Sequence, residues 1–168
     1  MDVSPLNYKL TFEPDLKKFT FNGLESISIN CKKSVNVITM NCAELKIKSC
    51  IVKSGKKIIK SFPKTNEKKE ELQIKLAEKI RGLCTVDLEF EGILNDRLLG
   101  FYRSRYEQNG KTKYLATTQF EAADARRAFP CWDEPEAKAT FEISIIAENK
   151  FTAISNMPVK NRFQWLPP

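Results

Sequence analysis

The sequence predicts an all-β domain, a twisted sheet or sandwich with little helix. Three observations carry this. Apolar residues alternate with polar ones in segment after segment, the period of a half-buried strand. Asn109-Gly110 sits between two such segments and signals a tight hairpin. Where a helix could start, after Ala122, Pro130 and Pro135 cut it short.

Taken in order, Tyr8, Leu10 and Phe12 mark a strand over Tyr8–Glu13. Pro14 and Asp15 turn the chain. Phe19, Phe21, Ile27, Ile29 and Cys31 share one parity along a long second strand, which makes a hairpin with the first. Gly23 interrupts it and implies a bulge or a close backbone approach. Val35–Met40 is nearly continuously apolar and is expected to cross the core as a short strand. Leu45, Ile47, Ile51 and Val52 form the next, turned by Gly55, and Ile58–Phe62 returns. Pro63–Glu70 reads as a polar, mobile loop. Leu72, Ile74 and Leu76 begin another strand, and Ala77–Gly82 reads as a loop or one helical turn. Val86, Leu88 and Phe90 face one way while Thr85, Asp87 and Glu89 face the other. After a loop at Gly92–Asp96, the segment GFYRSRYEQ and the returning Lys113–Thr118 flank Asn109-Gly110. Ala122–Ala128 is expected to form about two helical turns. Phe141, Ile143 and Ile145 alternate once more, and Thr152–Ser155 reads as a last short strand.

Composition narrows the chemistry. Among 168 residues there is no histidine, which removes Ser-His-Asp and Cys-His catalysis and the H-E-x-x-H zinc site. The five cysteines, Cys31, Cys42, Cys50, Cys84 and Cys131, contain no C-x-x-C pair, and buried free thiols are favoured over disulfides or a metal. No apolar run reaches the ~18 residues of a membrane span, and the N-terminus has no signal core. We read the chain as cytoplasmic, with no membrane partner. Net charge is +7, with much of the excess between Lys46 and Arg81. That segment could be a nucleic-acid surface or a solvated, lysine-protected sheet face. Glutamates interleave the lysines and aromatics are almost absent, so the solvated face is favoured and no nucleic-acid partner is expected.

The stretch TTQFEAADARRAFPCWDEPEAKATFEI, Thr117–Ile143, differs from the rest. Five acids (Glu121, Asp124, Asp133, Glu134, Glu136) and Arg126-Arg127 lie within 16 residues. Gln119 and Glu121, two apart, would project from one face of an extended backbone. Together they could accept an ammonium and donate to a carbonyl, as recognition of a peptide N-terminus requires. By spacing alone, two surface polar residues are the simpler reading. For Arg126 and Arg127, bidentate pairing with Asp124, Asp133 or Glu134 is favoured over contact with substrate. Phe129 and Trp132 are expected to anchor the segment in the core, with Cys131 inert beside them.

This stretch, with AISNMPV after it and FNGLESISI and DRLLGFYRSRY before it, resembles the N-terminal domain of zinc aminopeptidases of the aminopeptidase N / puromycin-sensitive aminopeptidase family. The resemblance covers Tyr8–Val159. It implies a saddle-shaped β domain of twisted antiparallel sheets that packs on a thermolysin-like catalytic domain. It also implies that Glu121 binds the free α-amine of a peptide, that Gln119 helps hold the first residue, and that Arg126, Arg127, Asp133 and Glu134 are architectural. The Asn156-Met157-Pro158 match, near a strand end, is read as structural too.

The family's G-A-M-E-N loop, zinc ligands, general base and transition-state tyrosine have no counterpart in this sequence. We therefore expect no catalytic residue, metal ligand or cofactor in this chain, with zinc confined to the parent enzyme's catalytic domain. Residues 1–159 are read as the domain, incomplete at its C-terminal end, and 160–168 as a non-matching tail whose Phe163, Trp165 and Leu166 pack back or lie exposed. A second reading is a stand-alone β interaction module that pairs with a separate catalytic chain or with itself.

Overall fold

The computed structural model describes residues 1–163. Its strands are β1 (Val3–Asp15), β2 (Thr20–Asn41), β3 (Lys46–Ser54), β4 (Lys57–Ile59), β5 (Ser61–Asn66), β6 (Glu71–Ile93), β7 (Gly100–Gln108), β8 (Lys111–Gln119) and β9 (Thr140–Ile145). The helical pieces among the described residues are two 3-10 turns, Glu67–Lys69 and Ala125–Arg127. The chain is all-β and sandwich-like.

Two very long strands form the spine. β2 pairs with β6 from Thr20 opposite Ile93 to Asn41 opposite Glu71. The main sheet runs β4-β3-β6-β2-β1-β9, with β5 paired to β6 beyond β3. Both spine strands are longer than the alternation alone suggests. Val35–Met40 is not a separate core-crossing strand but the end of β2, with Ile38 and Met40 buried and Val37 exposed. Ala77–Gly82 is neither loop nor helical turn but the middle of β6. Register slips between Cys31 and Val37 carry both strands through the polar stretch Lys32–Ser34. Such slips keep the apolar face aligned on both sides of an irregular stretch.

The segment expected as a mobile loop, Pro63–Glu70, takes in Pro63–Asn66 of β5, which pairs Ser61–Asn66 with Leu76–Glu71. Pro63 is tolerated there because β5 is an outer strand, with one edge free of ladder bonds. Gly23 makes no bulge in either neighbouring ladder. A Cβ at that position would collide with the Phe90 ring, so the close-approach reading is the correct one.

The expected antiparallel sheet has one exception. β9 lies parallel to β1, from Asn7 opposite Thr140 to Phe12 opposite Ile145. Alternation announces a strand but not its direction. Here the long crossover from β8 permits the parallel pairing.

β7 and β8 form a separate hairpin, turned by Asn109 and Gly110 at φ 54° and 69°. Positive φ at both central residues is what a type I′ turn demands. The hairpin closes over the main sheet through Phe101, whose ring lies 5.0 Å from Phe21 and 5.5 Å from Phe12. Arg103 lies over the Phe19 ring at 4.5 Å and donates to the Leu94 carbonyl at 2.6 Å. The core fills the space between: Tyr8, Leu10, Phe21, Ile27, Ile29, Val86, Leu88 and Phe90 from the sheet, Phe101 and Phe129 from above.

Residues 146–163 form no strand, so the short strand expected at Thr152–Ser155 is absent. Met157 is 75% exposed and Asn156-Met157-Pro158 lies in this irregular segment, away from any strand end. Phe163 is exposed; Trp165 and Leu166 lie outside the described residues. All five cysteines are free thiols, four of them buried and Cys50 half-buried.

Candidate functional site

β8 ends at Gln119, which pairs with Gly100 on β7. Phe120 then turns inward, its ring 6.0 Å from Phe129. Glu121 follows, and the Glu121–Ala122 peptide is cis. Asp124 N–H donates to the Phe120 carbonyl at 2.9 Å, closing a turn beneath Glu121. Gln119 and Glu121 are both exposed. Neither side chain is committed to a hydrogen bond or ion pair among the described residues. The two helical turns expected over Ala122–Ala128 shrink to this turn and the 3-10 turn at Ala125–Arg127.

The adjacent arginines hold the turn from below. Arg127 donates through Nε to Asp124 at 2.9 Å, through Nη1 to Glu44 at 2.7 Å and through Nη2 to Glu70 at 2.7 Å. Arg126 donates through Nε to Asp133 at 3.0 Å and through Nη1 to Glu70 at 3.3 Å. Glu44 also pairs with Arg97. Planar guanidinium forks suit this, because each can serve several carboxylates in fixed directions. Partial burial pulls both arginines down, but the carboxylates outweigh it and hold both above the ordinary guanidinium value.

Backbone bonds lock the same junction. Ala43 N–H donates to the Arg126 carbonyl at 2.9 Å, and Cys42 N–H to the Glu70 carbonyl at 2.7 Å. Asn41 and Cys131 exchange both backbone bonds, and Asp133 N–H donates to the Asn41 side chain at 3.1 Å. Loops from β2, from the start of β6 and after β8 therefore meet at one point.

Three members of this junction, Glu44, Glu70 and Arg97, were invisible to sequence reasoning. They lie tens of residues from Arg127 and no local pattern marks them. Glu134 is exposed and takes no part in these pairs. Phe129 is buried, whereas Trp132 is only half-buried and donates its backbone N–H to the Tyr8 hydroxyl at 3.3 Å. Burial pushes the Cys131 thiol well above its ordinary value, which leaves it a poor nucleophile at neutral pH.

Two clefts lie on the main sheet. One, about 310 Å³, is lined by Lys9, Leu24, Ser26, Ile51, Asp87 and Glu89 among others; the second, about 420 Å³, lies between Leu45, Ile47, Pro63 and Leu72. Neither includes Gln119 or Glu121. Both are open, and in the first Asp87 is already paired with Ser26 and Lys53. Among the described residues no cluster of three histidine, cysteine, aspartate or glutamate side chains could hold a metal ion. Among the described residues no helix is long and apolar enough to cross a membrane.

The chain belongs to the Peptidase M1 N-terminal domain family, whose model matches residues 4–164. It is 40% identical to the alanine/arginine aminopeptidase of Saccharomyces cerevisiae over 95% of this chain and 19% of that protein. It is 39% identical to aminopeptidase 2, mitochondrial, of the same yeast over 96% of this chain and 17% of that protein. Aminopeptidase M1 of Arabidopsis thaliana is 40% identical over 92% of this chain and 18% of its own length. The chain thus spans less than a fifth of these relatives.

Proposed function

We propose that this chain is the substrate-anchoring domain of a zinc-dependent aminopeptidase. In this reading Glu121 receives the free α-amine of a peptide and Gln119 steadies its first residue. A carboxylate selects an ammonium, which restricts cleavage to a chain end. The observation that carries the reading is the Gln119-x-Glu121 pair, open at the end of β8, in a chain of the Peptidase M1 N-terminal domain family. Arg126, Arg127 and Asp133 are architectural in it, whereas the exposed Glu134 stands apart from their pairs.

The residues of this chain do not fit a catalytic zinc, since there is no histidine and no metal-ligating cluster among the described residues. Zinc and the hydrolytic step therefore belong, in this reading, to a catalytic domain that packs on this one. The relatives are aminopeptidases five times longer or more, which supports such a pairing. The cytoplasmic placement is part of this reading and the free thiols are compatible with it, while one similar yeast protein is named as mitochondrial.

The test has two parts. Purified chain with added zinc should release no arylamine from aminoacyl-arylamides; turnover that survives repurification and is lost in Glu121→Ala overturns the reading. NMR titration with a short peptide should shift Gln119 and Glu121 resonances, and the same peptide N-acetylated should not. Equal shifts with both would remove the amine from the argument.

A further inference from the structure

β2 is an inner strand of the main sheet, yet its buried face carries an acid. Glu25 is buried and neither carboxyl oxygen has a partner. Leu10 of β1 and Leu88 of β6 stand opposite it. The charged Lys9, Asp87 and Glu89 pair with Ser26 or Leu24, so they lie on the other face of the sheet. The titratable groups around the carboxyl are Tyr8 from β1, Cys42 from just past β2 and Cys131 from the loop after β8; its charge opposes the ionisation of each. None of them is a cation. Arg126, the nearest candidate on that loop, is turned to Asp133 and Glu70 instead.

The chain has no histidine, the residue that ordinarily titrates near neutrality. Burial holds the Tyr8 hydroxyl and the Cys131 thiol well above their ordinary values and pushes Cys42 up to about 12. A carboxyl starts far below a thiol or a phenol, so Glu25 is the first of the four to lose its proton as pH rises.

A carboxylate in this interior must reach water. On the sheet side the way is closed, because β2 is bonded along its length to both β1 and β6. On the other side lie residues 131–133, which no ladder holds. An isolated bridge joins Cys131 to Asn41. Trp132 N–H donates to the Tyr8 hydroxyl at 3.3 Å, and Asp133 N–H to the Asn41 side chain at 3.1 Å. Segments held by so few bonds open before a ladder does.

We propose that residues 131–133 form a proton-controlled cover over Glu25, closed while the carboxyl keeps its proton and lifted when it gives that proton to solvent. Lifting parts Asp133 from Arg126, now 3.0 Å apart, and loosens the junction beneath Glu121. The sign follows from the raised folded value of Glu25: the cover is closed at acid pH and opens as pH rises through that value. Any effect on peptide binding rests on the amine-anchor reading, whereas the opening itself does not.

Amide hydrogen exchange of the 168-residue chain from about pH 5 to about pH 9 tests it. Protection factors remove the intrinsic pH dependence of exchange. Those of Asn41 and Cys131, whose amides bond each other's carbonyls, should fall at least about tenfold with rising pH. Those of Ile27 and Val86, inside the β2–β6 ladder, should hold. Glu25→Gln keeps the shape without the charge and should abolish the fall. Glu25→Leu should do the same, and it decides the matter if the glutamine variant unfolds. Constant protection at Asn41 and Cys131 in the parent chain overturns the proposal. So does a fall that persists without the carboxyl, or one that Ile27 and Val86 share. Titration with free and N-acetylated peptide at one fixed pH reads the anchor separately, so either idea can fail alone.

Discussion

Gly100 lies hard against Arg127: a Cβ on Gly100 would stand 2.6 Å from the Cβ of Arg127 and 3.2 Å from the Asp124 carbonyl oxygen. Gly100 also adopts φ +63° and pairs with Gln119. The start of the hairpin, the arginine junction and the candidate anchor thus share one contact.

Gly100→Ala should therefore destabilise the fold by about 2–4 kcal/mol, combining left-handed strain with displacement of Arg127. Gly55 has φ +59° and open space around it. Gly55→Ala isolates the strain and should cost only about 1 kcal/mol. Urea melts of both variants compare the two effects, and equal losses would show that the contact with Arg127 does not matter.

Arg127→Ala should destabilise by about 3 kcal/mol, because it leaves Asp124, Glu44 and Glu70 facing one another without their shared cation. Glu44 and Glu70 are partly solvated, which limits the loss. Arg127→Lys should recover less than half of it, since an ammonium lacks the fork that serves three acids at once. Denaturant melts measure both, and full recovery by lysine would reduce the junction to simple charge balance.

Glu25 is 3% exposed, sits opposite Leu10 and Leu88, and neither carboxyl oxygen has a protein partner. Burial raises its pKa well above the ordinary carboxylate value, and Tyr8, Cys42 and Cys131 are the titratable groups whose charges feel it. A carboxyl with a raised folded pKa binds its proton more tightly in the native state. Its favourable contribution is complete below the unfolded pKa of about 4.3 and is lost as pH rises toward the folded value. Glu25→Leu should raise stability at neutral pH by about 1–3 kcal/mol and flatten the fall above pH 4. Melting temperature against pH for both proteins checks this, and parallel curves would contradict it.

Glu121 is exposed and makes no internal bond among the described residues. Glu121→Gln should leave the melting transition within about 0.5 kcal/mol of the parent. It should weaken binding of a free peptide amine about tenfold or more, the worth of one charge-assisted bond. NMR titration reads the affinity, and unchanged affinity would move the amine site elsewhere.

Much of the architecture was legible because it depends on local patterns. Period-two alternation marked most strands, and Asn109-Gly110 marked its hairpin through backbone geometry alone. Other features were hidden for definite reasons. β2 and β6 looked like two strands each because Lys32–Ser34 and Ala77–Gly82 break the alternation, and only pairing with each other carries them through. Pro63–Asn66 of β5 looked like loop because these residues bury nothing and are held by backbone bonds to β6. Trp132 looked like a core anchor because it is large and apolar, but its place at the rim leaves it half-covered.

By itself the sequence determined that this is an all-β chain without histidine, and it set Gln119 and Glu121 two positions apart. Both facts follow from composition and short-range spacing. Only the tertiary structure decided what supports that pair and what lies open. Glu44, Glu70 and Arg97 reach the arginines across long intervals of chain. Glu25 is driven into an apolar interior by the parity of its strand. β9 pairs in parallel and leaves an apolar edge uncovered. Each depends on which strands become neighbours, and that is settled when the whole core packs rather than in any short window of residues.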